Sequence, residues 1–181
     1  GSVAVAVAEL GPTIRRIAQL ARSLPTAPLD AFVAQIRALP RKTEAERLVV
    51  QRVGQDVFRA TLLDFWNARC PLTGIAHPRI LRASHMKPWA DCDSDAERLD
   101  VHNGLLLAAH LDAAFDAGLI TFADDGTLLT ASALSAADSV RLGLPDLPPL
   151  TGLTANHLPY LQYHRDVVFS GHCNRGGNGG R

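Results

Sequence analysis

Four polar residues between positions 85 and 116 have types and spacing that suit metal-assisted hydrolysis of a phosphodiester bond. They are His85, Asn103, Asp112 and Asp116. Asp116 follows Asp112 by four residues, and residues at i and i+4 share a helix face, so the two carboxylates can hold one hard cation. A neutral imidazole can remove a proton from water, while a cation stabilises charge on a phosphate. The pattern predicts a hydrolytic site with His85 as its base.

Three predicted elements must position these residues. The segment 79–84 has the composition of a strand that ends just before His85, and the apolar run 104–108 predicts a second strand. The segment 110–117 predicts a short helix, which Gly118 terminates. Pro88 and the acidic run 91–100 predict a loop between the two strands. The order strand, strand, helix would place His85 beside the two carboxylates.

Helices are predicted before this segment, and a hairpin and a helix after it. Apolar residues at helical spacing indicate helices at 13–23 and 29–38, separated by Pro25 and Pro28. Thr43 with Glu46 is a capping-box signature that opens a longer helix, reaching about residue 67. Its predicted inner face consists of Leu48, Phe58, Leu62 and Phe65.

The sequence of the C-terminal third predicts a hairpin, a helix and a tail. Asp125-Gly126 between two apolar runs predicts a β-hairpin, and 156–169 predicts a final helix. The Gly-rich segment 171–181 predicts a disordered tail. Together these elements predict an α+β fold.

Composition is that of an ordinary soluble protein. The chain has 181 residues, 47% hydrophobic and 20% charged, which favours one domain with a substantial core. It contains no apolar run of about 20 residues and no recognisable secretory signal, so we expect a cytoplasmic protein without a membrane partner. Three widely spaced cysteines without a Cys-x-x-Cys pair predict free thiols and no structural zinc.

Charge is distributed unevenly although the net charge is zero. Residues 41–89 contain nine Lys and Arg against four acids, a net charge of +5. Residues 90–130 contain one Arg against nine acids, a net charge of −8. A basic half that contacts phosphates beside an acidic half that binds a cation fits a nuclease, although solvated helix faces produce similar blocks.

Three motifs in combination resemble one branch of the HNH endonucleases of the ββα-metal type. They are SHMKPW at 84–89, NGLLL at 103–107 and HLDAAFDAGLITF at 110–122. The resemblance extends upstream over 52–75 and downstream to 160–169. It implies an α+β fold with a ββα-metal core, N-terminal helices, a following β-hairpin and a C-terminal helix. It also implies a divalent metal, Mg²⁺ or Mn²⁺.

The resemblance assigns a role to each site residue. His85 would be the general base, and Asn103 would brace the loop between the strands. Asp112 and Asp116 would hold the metal, with His110 in reserve. Many family members have a metal ligand directly before the base, where this chain has Ser84. The complete set of metal ligands is therefore not assigned. Four further residues are candidates for substrate contact: Arg82, Lys87, His164 and Arg165.

The predicted function is metal-dependent cleavage of DNA. The resemblance implies duplex DNA as substrate, a restriction or phage-defence setting, and a fused or associated recognition domain. A homodimer is compatible with cutting both strands. Residues 41–170 would form the nuclease domain, and residues 1–40 a helical segment or the remnant of a preceding domain. The alternative is a non-catalytic nucleic-acid-binding module that keeps the fold, and the serine at position 84 favours it.

Overall fold

The computed structural model describes residues 2–23, 26–40 and 43–169, with side chains from residue 10 onward. The predicted tail at 171–181 lies outside them. Mixed helices and two two-stranded sheets make up the fold, as expected of an α+β protein.

Three helices precede the first strand: α1 (Ser2–Ser23), α2 (Ala27–Ile36) and α3 (Glu44–Phe65). The predicted capping box is confirmed, because the Thr43 side chain accepts from the Glu46 amide and the Glu46 carboxylate accepts from the Thr43 amide. The prediction that Leu48 lies on the inner face is wrong. Its side chain is exposed, because it lies in the first turns of α3, whereas the buried residues of this helix begin at Gly54.

Strand β1 (Leu81–His85) pairs antiparallel with β2 (Gly104–Ala108), and His85 lies opposite Gly104. Helix α5 (Ala109–Asp116) follows β2 directly and ends before Gly118, whose φ of 66° is left-handed. The predicted order of strand, strand and helix is therefore present. Every residue of β2 is buried, which explains why its sequence is continuously apolar.

The segment between the two strands was predicted as a loop, and this is wrong in part. It contains a short helix, α4 (Asp95–Leu99), between two single 3₁₀ turns at Trp89–Asp91 and Val101–Asn103. The Ser94 side chain accepts a hydrogen bond from the Glu97 amide and so caps the first turn of α4. A serine followed three residues later by glutamate is a helix-start signal that outweighs the acidic composition.

The C-terminal part begins with the predicted hairpin, in which β3 (Ile120–Phe122) pairs with β4 (Leu128–Thr130). Helix α6 (Ala136–Arg141), a 3₁₀ turn (Leu144–Asp146) and α7 (Leu158–Tyr163) follow. The chain then continues as a π-helix, His164–Phe169, which packs against β3.

A single apolar core joins α3, the β1–β2 sheet, α5 and the hairpin. Its fully buried side chains include Phe58, Leu62, Leu105, Leu107, Leu111, Phe115 and Phe122. The segment made of β1, β2 and α5 is thus held by packing against α3 and against the hairpin. Across the part of the chain that the structure describes, no helix is long and apolar enough to span a bilayer.

Candidate active site

His85 is held in one orientation at the end of β1. Its Nε2 lies 2.9 Å from the backbone carbonyl oxygen of Arg98. A carbonyl can only accept, so Nε2 carries the proton of the neutral ring and Nδ1 keeps its lone pair. The ring stacks on Phe58 with a centroid distance of 3.8 Å. Nδ1 has no hydrogen-bond partner among the described residues and can accept a proton.

The surroundings of His85 keep the imidazole neutral. Burial lowers the pKa of His85 to about 4, although the hydrogen bond to the Arg98 carbonyl opposes this shift. The ring is therefore deprotonated at neutral pH. A general base must start in this state, because only the neutral ring can take a proton from water.

A cavity of about 340 Å³ lies next to this ring. It is open enough for a substrate group to approach His85, and it brings together residues from β1, the following loop, α5 and the π-helix. Its lining consists of Ala83, His85, Pro88, Trp89, Asp116, His164 and Val168. Three predicted site residues, His85, Asp116 and His164, thus share one cavity.

The two carboxylates of α5 have different environments. Asp112 accepts a short hydrogen bond from the hydroxyl of the buried Ser84. Asp116 lines the cavity, where burial of its carboxylate and then the negative charge of Asp112 raise its pKa to about 6. The carboxylates therefore repel each other across one helical turn, and a cation between them would relieve that repulsion.

The donor set fits a hard divalent cation that retains water. No group of three His, Cys, Asp or Glu side chains could hold an ion anywhere in residues 2–23, 26–40 and 43–169. Mg²⁺ needs no such cage, because it commonly binds through one or two carboxylates together with water and substrate phosphate. Asp112 and Asp116 supply the two carboxylates. His110 is exposed and does not line the cavity.

Asn103 ties the loop after β1 to the segment before β2. Its side chain is fully buried, and Oδ1 accepts from the Lys87 amide at 2.8 Å. Nδ2 donates to the carbonyl oxygens of Lys87 at 3.2 Å and of Glu97 at 3.3 Å. Because Lys87 is two residues from His85, these bonds hold the backbone on which the imidazole depends.

Two of the basic candidates already have protein partners. The Lys87 ammonium forms ion pairs with Glu97 at 2.9 Å and Asp93 at 3.2 Å, and the hydrogen bond to Glu97 is the main reason that its pKa is raised. Arg82 is exposed, and its guanidinium donates to the carbonyl oxygens of Arg79 and Leu81. A phosphate would have to compete with these contacts.

His164 and Arg165, at the start of the π-helix, are both hydrogen-bonded to other parts of the protein. His164 is buried; its Nε2 donates to the Phe115 carbonyl oxygen at 3.2 Å, and Nδ1 accepts from the Thr121 hydroxyl at 2.9 Å. Both ring nitrogens are therefore occupied in this structure, and burial lowers the pKa of His164 to about 4. The Arg165 guanidinium donates to the Phe122 carbonyl oxygen and pairs with Asp124.

Sequence analysis did not identify Arg98. Its backbone carbonyl orients His85, and its guanidinium donates to the carbonyl oxygens of Trp89 and Cys92. The short helix α4 thus presents a carbonyl to the imidazole and fixes the loop that lines the cavity. A backbone contact leaves no signal in residue type. In the sequence, Ser94 followed by Glu97 was the signal that this segment begins a helix.

A family comparison covers the residues just described. Residues 70–123 match a family model whose description is HNH endonuclease, and this segment contains His85, Asn103, Asp112 and Asp116. A search of curated proteins gave no match to the chain. The match includes β1, β2, α5 and β3, which supports a nuclease-family function for this part of the fold. Residues 70–123, which hold the candidate site, are thus similar to the HNH endonucleases.

Proposed function

We propose that this chain is a metal-dependent endonuclease that hydrolyses phosphodiester bonds in DNA, with His85 as the general base. The observation that carries the proposal is the state of His85. Its Nε2–H is held by the Arg98 carbonyl, its pKa is lowered to about 4, and its other nitrogen is unpaired beside a cavity. His164, by contrast, uses both of its ring nitrogens.

The proposed reaction begins with a water molecule between Nδ1 of His85 and the phosphorus atom. Nδ1 takes one proton from this water as its oxygen attacks opposite the leaving oxygen, so the imidazole becomes an imidazolium. The P–O bond to the leaving oxygen breaks, and that oxygen takes a proton from solvent. The Arg98 carbonyl stabilises the imidazolium, because the Nε2–H donor becomes more acidic in the charged ring.

Asp112 and Asp116 would hold the divalent cation, Mg²⁺ or Mn²⁺. When bound, such a cation supplies positive charge beside the phosphate and the leaving oxygen. The chain's own contribution is to keep two carboxylates one helical turn apart, with Ser84 hydrogen-bonded to one of them. Asn103 keeps the loop after His85 in place.

The substrate class follows from the family and not from the residues in the cavity. We propose duplex DNA as the substrate and a restriction or phage-defence setting as the context, with base recognition by another domain or partner. Contacts to the phosphate backbone alone carry no sequence information, so the isolated chain would show little sequence preference.

A plasmid-nicking assay tests this proposal. Supercoiled plasmid should be nicked with Mg²⁺ or Mn²⁺ and remain intact with EDTA. His85→Ala should lose this activity, whereas His77→Ala, which changes an exposed histidine outside the cavity lining, should retain it. Cleavage that is equal in wild type and His85→Ala would exclude the proposed mechanism.

The alternative is a DNA-binding module that does not cut. Its supporting observation is the hydrogen bond of buried Ser84 to Asp112, which occupies one carboxylate oxygen where many relatives have another metal ligand. Under this alternative, wild-type protein would bind labelled duplex DNA and leave plasmid intact with every metal. Isothermal titration with Mn²⁺ would then show whether the two carboxylates bind a cation at all.

A further inference from the structure

The Lys87 side chain is enclosed by other parts of the protein. Only 13% of the side chain is exposed. Its ammonium lies 2.9 Å from the Glu97 carboxylate, 3.2 Å from the Asp93 carboxylate and 5.4 Å from the ring centroid of Tyr163. Lys87 does not belong to the lining of the cavity next to His85. The ammonium therefore contacts α4, the residue before its cap and the end of α7.

Glu97 is the more important of the two acidic partners. Its side chain is 22% exposed, whereas that of Asp93 is 92% exposed, so water and salt screen the pair with Asp93 more strongly. The second carboxylate oxygen of Glu97 accepts from the Asp93 amide at 2.7 Å. Both oxygens of Glu97 are thus engaged, and this side chain joins Lys87 to the first turn of α4.

The pair between Lys87 and Glu97 is connected to the imidazole of His85 at both ends. Lys87 follows His85 by two residues along the chain. Arg98 follows Glu97 in α4, and its carbonyl oxygen lies 2.9 Å from Nε2 of His85. The ion pair therefore closes a ring of contacts from the His85 backbone through α4 and back to the His85 side chain. A movement of α4 would displace the carbonyl that orients the imidazole.

The backbone of Lys87 is held independently of its ammonium. Asn103 accepts from the Lys87 amide and donates to the Lys87 carbonyl oxygen. The Cys92 thiol also donates to this carbonyl oxygen. Because these bonds involve only the main chain of Lys87, they remain when the side chain is replaced. A substitution at Lys87 therefore changes the contact with α4 and leaves the tether to Asn103 in place.

We propose that Lys87 is a positioning residue, which holds α4 and the Arg98 carbonyl against His85 and does not contact the scissile phosphate. To reach a phosphate, the ammonium would have to leave two carboxylates and the tyrosine ring, and the enclosed Glu97 would lose its cation. For its effect on cleavage, the inference rests on the proposed nuclease function. The contact itself exists without substrate and can be measured without cleavage.

Cleavage kinetics of Lys87→Met and Glu97→Gln separate positioning from substrate contact. Both variants should lower kcat by about tenfold, because a small displacement of a catalytic group slows the reaction strongly. Each should leave KM for the plasmid within about twofold of wild type, since no substrate contact is lost. The double variant should be no slower than the slower single variant, because both substitutions break the same contact. Lys87→Arg keeps a cation and should retain most of the activity.

A phosphate contact by Lys87 would give the opposite pattern. Glu97→Gln would then release the ammonium towards the substrate and lower KM, whereas Lys87→Met would raise KM. Opposite changes of KM in these two variants would overturn the inference. Thermal melting of each variant shows that the protein tested is folded. If Lys87→Met does not fold, Glu97→Gln tests the same contact from its other end.

Nitrogen-15 NMR of the His85 ring at neutral pH tests the contact without cleavage. In the wild type, Nε2 should carry the proton, because the Arg98 carbonyl can only accept. The His85 signals are those that disappear in His85→Ala. Lys87→Met and Glu97→Gln should shift them towards a mixture of the two neutral tautomers, and Lys87→Arg should not.

The two measurements distinguish failure of the inference from failure of the proposed function. Unchanged His85 signals in both Lys87→Met and Glu97→Gln would overturn the inference, whatever happens to cleavage. If these signals shift as expected while wild type leaves plasmid intact with every metal, the nuclease function is refuted and the positioning role of Lys87 is supported.

Discussion

At the scale of single residues, the most direct prediction concerns His85. His85→Ala should lower the cleavage rate by a factor of about 10² or more, because a positioned general base contributes at least that much. The ring also stacks on Phe58, so the variant should melt at a slightly lower temperature. Single-turnover cleavage and thermal melting of His85→Ala and His77→Ala measure the two effects. Equal cleavage rates in these two variants would contradict the assignment.

The pKa of Asp116 predicts how cleavage depends on pH. At subsaturating Mn²⁺, activity should rise as the pH passes about 6, because Asp116 must lose its proton before it can bind the cation. His85 is already neutral above pH of about 4 and should not limit this range. Rates measured between pH 4.5 and 8 should show that rise.

Asp116→Asn supplies the control for this assignment. It should need more Mn²⁺ and should lose the rise near pH 6, since asparagine has no proton to release in this range. Saturating Mn²⁺ should move the rise in the wild type to lower pH. A rise near pH 6 that persists unchanged in Asp116→Asn would show that another group controls it.

The sequence points to residues that suit the proposed chemistry, but it does not show all their contacts. His85, Asp112 and Asp116 stood out by type and spacing. The contact between Nε2 of His85 and the Arg98 carbonyl could not be predicted, because every residue has a carbonyl. That Asp116, and not Asp112, lines the cavity beside His85 depends on the rotation of α5 relative to β1.

At the scale of elements, local signals were most reliable where a cap or a turn defined them. The Thr43 capping box, the Asp125-Gly126 turn and the order strand, strand, helix could all be predicted from the sequence. The position of Leu48 could not, because helical periodicity alone does not show where along α3 the packing begins. Helix α4 was missed because its acidic composition was given more weight than its Ser94 cap.

Asn103 yields a prediction about the loop between β1 and β2. Asn103→Ala should lower the free energy of unfolding by about 1–3 kcal/mol, because buried partners of its amide lose their hydrogen bonds. It should also reduce cleavage, since Lys87 and the backbone beside His85 would lose their tether. Urea denaturation and the nicking assay measure the two losses.

Asn103→Asp is the informative companion variant. It keeps an oxygen that can accept from the Lys87 amide, but it loses the donor to the Lys87 and Glu97 carbonyls. We expect at least the same loss of stability, because a carboxylate would face two carbonyl oxygens in a buried site. Wild-type stability in both variants would show that these bonds do not hold the loop.

At the scale of the whole molecule, buried histidines predict how stability depends on pH. Burial lowers the pKa of His85, His157 and His164 to about 4, below the unfolded value of 6.5. Between these values the unfolded chain binds more protons, so each histidine makes the protein less stable as pH falls. Asp116 acts in the opposite direction, because its folded pKa is raised to about 6.

On unfolding near pH 5, the three histidines each take up about one proton and Asp116 releases about one, so the net uptake is about two protons. Urea midpoints between pH 4.5 and 6 should therefore fall steeply with decreasing pH. His157→Phe replaces a fully buried ring with one that cannot take up a proton, and it should reduce the uptake by about one. A pH-independent midpoint in the wild type would be inconsistent with neutral buried histidines.

The charge distribution predicts how the whole chain binds DNA. Of the basic residues described between 43 and 89, Arg59 donates to two backbone carbonyls and Lys87 is paired with acids. Five arginines are exposed: Arg47, Arg52, Arg69, Arg79 and Arg82. About four phosphate contacts give a log–log salt slope near −4, at about 0.9 per contact. Fluorescence anisotropy with a labelled duplex at several salt concentrations measures this slope.

Divalent cations should have an effect on DNA binding that monovalent salt does not. The acidic segment 90–130, which contains Asp112 and Asp116, repels DNA until a cation neutralises it. Ca²⁺ at constant ionic strength should therefore tighten binding of the wild type. Asp112→Asn/Asp116→Asn should bind more tightly than wild type without Ca²⁺ and respond less to its addition, because two of the repelling charges, those of the candidate cation site, are removed. If Ca²⁺ instead weakens binding equally in both proteins, it acts only as a screening salt, and the two carboxylates do not form a cation site.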